Sequence, residues 1–134
     1  MAGYSATPLS RKLGIAEGAE LLLIDAPGDY RKIVDPLPQG VRLVNRLSAR
    51  TRMVHLFATR ERDLRSALVR LRPRIGADGV VWVSWPKKAS KVETDITEDT
   101  IRDVALPLGF VDVKVCAVTD VWSGLKLVIR KELR

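Results

Sequence analysis

The sequence predicts an α/β protein: three layers, with a mostly parallel six-stranded sheet between helices and the last strand antiparallel. Three observations predict it. Apolar runs of strand length recur along the chain and alternate with amphipathic or turn-rich segments. Two of these runs, ELLLIDAP at 20–27 and VVWVSW at 80–85, are almost continuously apolar, as strands buried on both faces are. The last two runs, 111–119 and 125–131, are joined by DVWSG at 120–124, too short for a crossover, so they form an antiparallel hairpin.

The elements follow in order. Thr7-Pro8 reads as an N-cap followed by proline at the first helical position, opening a short helix that stops at Gly14. The first strand lies within 20–27, and Gly28-Asp29 turns the chain into a helical segment from Tyr30 to Val34, broken by Pro36 and Pro38. VRLVNRL at 41–47 alternates and reads as a second strand with one less covered face; MVHLFAT at 53–59 is the third. From Glu61 to Arg72 the chain is an amphipathic helix, with Leu64, Leu68, Leu71 and Ile75 on one face, Arg62 and Arg70 opposite, and Arg65 and Arg72 flanking. The GADG turn at 76–79 leads to the fourth strand. After a polar loop, Pro86 to Thr94, a helix opens at Asp95 or Thr97 and closes at Gly109. Asp95 with Glu98 has the spacing of a capping box.

Composition bounds the function. The chain has 134 residues, 46% apolar and 29% charged, the profile of one globular domain spanning 1–134. Its one cysteine, Cys116, cannot form an intrachain disulfide and fits a reducing compartment. A single histidine and no His/Cys cluster predict no metal centre. No run of about 18 apolar residues exists and Met1–Gly14 has no apolar core, so neither a membrane partner nor a signal peptide is expected, and the expected address is the cytoplasm. The net charge is +7, and it is local: between Arg42 and Arg74 ten arginines face two acids, Glu61 and Asp63, with no lysine. Guanidinium binds phosphate and carboxylate bidentately, so this field suits an acidic partner; a solvated face that aids solubility explains it equally well.

The element order, with one reversed hairpin strand closing a parallel sheet, and the texture of GADGVVWVSW and LPLGFVDVKV resemble the class I methyltransferase-like version of the Rossmann fold. That resemblance implies strand order 2-1-3-4-6-5 with the sixth strand antiparallel, glycines after the first strand and an acid after the second, for adenosylmethionine or a dinucleotide. Here the first loop is DAPGD and the second strand ends in Asn45-Arg46. Neither part of the fingerprint is present, and no cofactor is expected. Arg46 could take a phosphate at the ribose position or simply lie at the surface. His55, among Val54, Leu56 and Phe57, reads as a hydrogen-bonded core or interface histidine rather than a base, and Cys116 as a buried, inert thiol. Trp82 and Trp85 are three apart on one strand and point to opposite faces.

Ligands of open α/β sheets bind outside the carboxyl ends of the strands. The predicted topology brings Ala26–Asp29, Thr59-Arg60, the WPKKAS loop and the DVWSG hairpin to that edge. Arg60, Lys87 and Lys88 supply charge there, Ser90 and Ser123 hydroxyls, and Trp85 and Trp122 flat apolar surface. The set suits a small anion or a phosphorylated aromatic ligand. Solvated lysines in a polar loop are the plain alternative.

GYSATPLSRKLGI at 3–15, DAPGDY at 25–30, WPKKASKVETDITEDTIRD at 85–103 and GFVDVKVCAVTDVWSGLKLV at 109–128 resemble a bacterial family of small proteins of unknown function. The resemblance implies a stand-alone, compact bacterial protein and transfers no activity, cofactor or catalytic residue. The leading expectation is therefore a non-enzymatic binding module for a small anionic ligand. One rival is an enzyme acting on an anionic substrate, with Asp29 or Asp120 as base. The other is backbone binding of nucleic acid by Arg62, Arg65, Arg70 and Arg72.

Overall fold

The computed structural model describes residues 7–134. The first residues of the 3–15 block, and residues 1–6 of the segment judged for a signal peptide, lie outside them. The described chain forms α1 (Leu9–Leu13), β1 (Glu20–Ile24), α2 (Tyr30–Ile33), β2 (Arg42–Val44), β3 (Met53–Phe57), α3 (Glu61–Leu71), β4 (Val80–Pro86), α4 (Glu98–Ala105), β5 (Phe110–Ala117) and β6 (Trp122–Ile129). The strands join in one sheet of order β2-β1-β3-β4-β6-β5. β1 is parallel to β2 and β3, and β3 to β4, while β6 is antiparallel to both β4 and β5. The predicted topology is the observed one.

Local chemistry explains most boundaries. β1 stops at Ile24 because Asp25 takes a left-handed conformation, φ 55°. β2 is only three residues long, shorter than 41–47 suggested: beyond Val44 no strand pairs with it, and the polar Asn45-Arg46 turns to solvent. α1 begins at Leu9, one residue later than expected. Pro8 itself is the N-cap and makes no side-chain cap bond, while Gly14 closes the helix at φ 78°.

The capping box of α4 is Thr97 with Thr100, not Asp95 with Glu98: the Thr100 amide donates to Thr97 Oγ1 at 3.2 Å and the Thr97 amide donates to Thr100 Oγ1 at 3.0 Å. Asp95 is displaced from that role because it caps another helix. Its carboxylate accepts from the Glu61 amide at 2.7 Å, at the start of α3, whose own N-cap, Arg60, has no side chain that can accept. The turn of the β5–β6 hairpin occupies 118–121, so Trp122, Ser123 and Gly124 belong to β6 rather than to the connection.

Two apolar layers flank the sheet. On one face, Leu64, Leu68, Leu71 and Ile75 of the α3 region join Ile101 and Val104 of α4 over Val54, Leu56, Val81, Val83, Leu125 and Leu127. Each such leucine contributes about 1.5–3 kcal/mol relative to an exposed one. On the other face, Leu13, Ile15, Tyr30 and Val34 cover Leu21, Met53, Phe57 and Trp82. Trp82 is fully buried there and donates its Nε1–H to the Leu13 carbonyl at 2.9 Å, tying α1 to the sheet. The crossover from β2 to β3, residues 45–52, contains no helix. This leaves the first face beside β1 and β2 without a helical cover.

Candidate functional site

The carboxyl edge of β4 is built by the hairpin. Pairing runs to the last residues of both strands, Trp85 opposite Ser123 and Pro86 opposite Trp122. One step further, the Lys87 amide donates to the Val121 carbonyl at 2.7 Å. Lys87 and Lys88 are thereby fixed beside the hairpin turn, with neither ammonium in an ion pair among the described residues. Ser90 is occupied locally: its hydroxyl donates to the Lys87 carbonyl at 2.6 Å and accepts from the Val92 amide at 3.2 Å, closing a 3-10 turn at Lys88–Ser90.

The aromatic pair does not form one platform. Pairing places Trp85 and Trp122 on opposite faces of the sheet. Trp85 is 8% exposed and packs into the α3–α4 core. Trp122 stands edge-on to Phe57, ring centres 5.1 Å apart, and covers the other core. Arg60 donates to Glu93 at 3.2 Å and shares a shallow depression with Arg62 and Asp95. The edge therefore presents two unpaired lysines and the half-buried Ser123, with the tryptophans as its structural support.

Beneath Trp122 runs a buried polar relay that the sequence pattern did not reveal. Tyr30 Oη and His55 Nδ1 share a hydrogen bond of 2.7 Å, and His55 Nε2 and Ser84 Oγ another of 2.8 Å. His55 and Ser84 are fully buried and Tyr30 nearly so. His55 stacks on Phe57, centroids 4.4 Å apart, and meets Tyr30 edge-on. Burial pushes the imidazole down to about 3 and the phenol well above its ordinary value. A neutral imidazole with both nitrogens engaged and no solvent contact holds the core together and offers no proton to a substrate. Cys116 lies on the same face, half-buried, and burial raises its thiol, which keeps it protonated and unreactive.

The β1–α2 loop does not fit the cofactor that the fold family implies. It holds a single glycine, Gly28, beside a proline, in place of the glycine-rich turn that lets the backbone approach a cofactor. α2 has four residues and its N-cap, Asp29, makes no side-chain cap bond. After β2 stands Asn45 in place of a carboxylate for ribose hydroxyls. Among the described residues no group of acids, cysteines and histidine could hold a metal, and no helix is long and apolar enough to cross a membrane.

The arginine field divides into two groups. Arg42, Arg52, Arg60 and Arg65 pair with Glu20, Asp78, Glu93 and Glu61. Arg72 donates to the Leu108 carbonyl at 2.8 Å, which fastens α3 to the end of α4. Arg46, Arg62, Arg70 and Arg74 have no carboxylate partner among the described residues, while Arg50 forms no ion pair there but its charge acts on the Glu20 carboxylate. Of the four arginines expected to face nucleic acid, Arg62 and Arg70 are free, whereas Arg65 and Arg72 serve the fold.

The comparisons agree with this architecture. A protein from Sulfolobus solfataricus described as a candidate type 11 methyltransferase superposes with a TM-score of 0.59 at 12% identity, over 92% of this chain and 90% of that one. A protein of the NADB-Rossmann superfamily from Streptococcus agalactiae gives 0.55 at 14% identity, over 94% and 69%. A TehB-like SAM-dependent methyltransferase from Corynebacterium glutamicum gives 0.51 at 13% identity, over 96% and 90%. At these identities the likeness is one of fold alone. No curated protein matches the sequence. The profile of the protein family of unknown function DUF3052 matches residues 48–131, more than half of the chain, from the β2–β3 crossover through β6. The chain belongs to the DUF3052 family and carries it on a methyltransferase-like Rossmann fold.

Proposed function

We propose that this protein is a binding module rather than a methyl-transferring enzyme, and that it takes a small anion at the carboxyl edge of β4, between the Lys87–Lys88 turn and the β5–β6 hairpin. One observation carries the reading: the Lys87 amide is tied to Val121, so two ammonium groups without carboxylate partners stand beside the hairpin on a rigid frame. The main chain is held in place while the four-carbon stems stay free to adapt, so the pair offers two point charges to an anion. Arg60 and Ser123 belong to the same edge and widen the region of positive potential. The catalytic alternative has less support, because the imidazole is sequestered in the core and neither Asp29 nor Asp120 makes a side-chain hydrogen bond among the described residues. A single 1–134 domain in the cytoplasm accords with this reading.

The test is a thermal-shift screen with phosphate, pyrophosphate and carboxylate ligands, repeated on Lys87→Ala/Lys88→Ala. Lys88 is exposed and Lys87 half-buried, and neither ammonium is in an ion pair among the described residues, so the double variant should melt within about a degree of the wild type. It should lose the ligand-induced shift. A variant that melts early but keeps its ligand response would make the loop structural and remove the proposal.

A further inference from the structure

Independently of the lysine edge, we infer that the open face of the sheet beside β1 and β2 is a second binding site, for a phosphorylated small molecule with an apolar body. The site exists because the β2–β3 crossover is helix-free. Where a helix would pack, the chain passes as a loop, leaving a cavity of about 280 Å³ between that loop and the end of α3. Leu22, Ile24 and Leu47 form its floor, and Asn45, Arg46, Arg70 and Arg74 its rim. A second cavity, about 320 Å³, adjoins it and shares Leu47 and Arg74, with Ser48 and Ala49 on its wall.

Three features point to the ligand class. First, all three rim arginines lack a carboxylate partner, although most of the neighbouring arginines are paired. They reach the cavity from two separate segments, the crossover and the last turn of α3 with its extension. Guanidinium forks of this kind match phosphate oxygens bidentately. Second, the floor is aliphatic and partly buried, which favours an apolar body under the charged rim. Third, Asn45 adds an amide that can both donate and accept, suited to a hydroxyl or ring nitrogen. A cavity of this size admits a compact ligand rather than a duplex.

The experiment is calorimetry at physiological salt with pyrophosphate and with ADP, adenosine serving as the uncharged control. The inference expects saturable 1:1 binding of ADP, weaker binding of pyrophosphate and none of adenosine. Arg70→Ala/Arg74→Ala, on exposed residues without partners, should fold with an unchanged melting temperature and weaken ADP at least about tenfold. Lys87→Ala/Lys88→Ala should leave ADP binding intact. No saturable binding of either phosphate overturns the inference. So does binding insensitive to Arg70 and Arg74, or binding lost instead in the lysine variant, which would assign the ligand to the hairpin edge. A single-stranded 20-mer that binds far more tightly than ADP and is released steeply by salt would also overturn it, by making the arginines an open nucleic-acid surface.

Discussion

His55 is where a single residue controls a measurable property of the whole molecule. Its imidazole is neutral in the fold, pushed down to about 3 by burial, against an ordinary value of 6.5. Between those two values the unfolded chain binds a proton that the folded chain refuses. Stability from this group is therefore complete above about pH 6.5 and falls as pH drops toward 3, by about 1.4 kcal/mol per pH unit. Urea unfolding between pH 6.5 and 5, above the carboxylate range, should show that slope. His55→Gln, which keeps a donor and an acceptor but cannot take up the proton, should flatten it. An unchanged slope in the variant would assign the dependence elsewhere. The same residue shows why part of the core escaped the sequence. MVHLF reads as a buried strand on hydropathy, but Tyr30 and Ser84 are 25 and 29 positions from His55. Nothing local announces that they meet.

At the scale of elements, the caps were legible as a class but not in their pairing. Asp95 has the residue type and spacing of an N-cap for α4, yet it serves α3 because the loop after β4 returns over Thr59: the Thr94 hydroxyl and the Asp95 amide both donate to the Thr59 carbonyl. Two helices that pack together in the core are thus tied at their N-termini by one loop. Asp95→Ala should cost about 1 kcal/mol, the usual loss of a cap, and should fray α3 rather than α4. Amide exchange would show the loss of protection at Glu61–Leu64. Thr97→Ala should cost a similar amount and loosen α4. Combining Thr97→Ala with Thr100→Ala should cost less than the two separate losses added, since the two side chains form one reciprocal box. The hairpin strands were readable because apolar runs and a short connection leave few pairings, and the order of the sheet because the run of elements resembles the methyltransferase-like fold. The length of β2 was not, because VRLVNRL alternates well beyond the three residues that find a partner in β1.

At the scale of the molecule, the fold is shared with methyltransferases while the loops after β1 and β2 lack the glycine-rich turn and the ribose acid, and these two facts give opposite expectations for adenosylmethionine. The sheet order and the placement of helices argue for it by analogy, which is weak ground for function. The loops argue against it on contact chemistry. A cofactor of this kind needs backbone drawn close by glycines and a carboxylate for its ribose; here the loop has the one glycine, Gly28, and the residue after β2 is an amide followed by Arg46. The positive field from Arg46, Arg70 and Arg74 also disfavours a sulfonium cation, which sits better near acids. The expected outcome is no change in melting temperature with about 1 mM adenosylmethionine. A ligand at a hundred times its dissociation constant would add about 2.7 kcal/mol, a rise of several degrees for a domain of this size. ADP in the same assay should raise the melting temperature. Adenosylmethionine raising it instead, with ADP silent, would return the chain to methyl transfer and show that the DAPGD loop holds the cofactor by a backbone arrangement other than the glycine-rich turn.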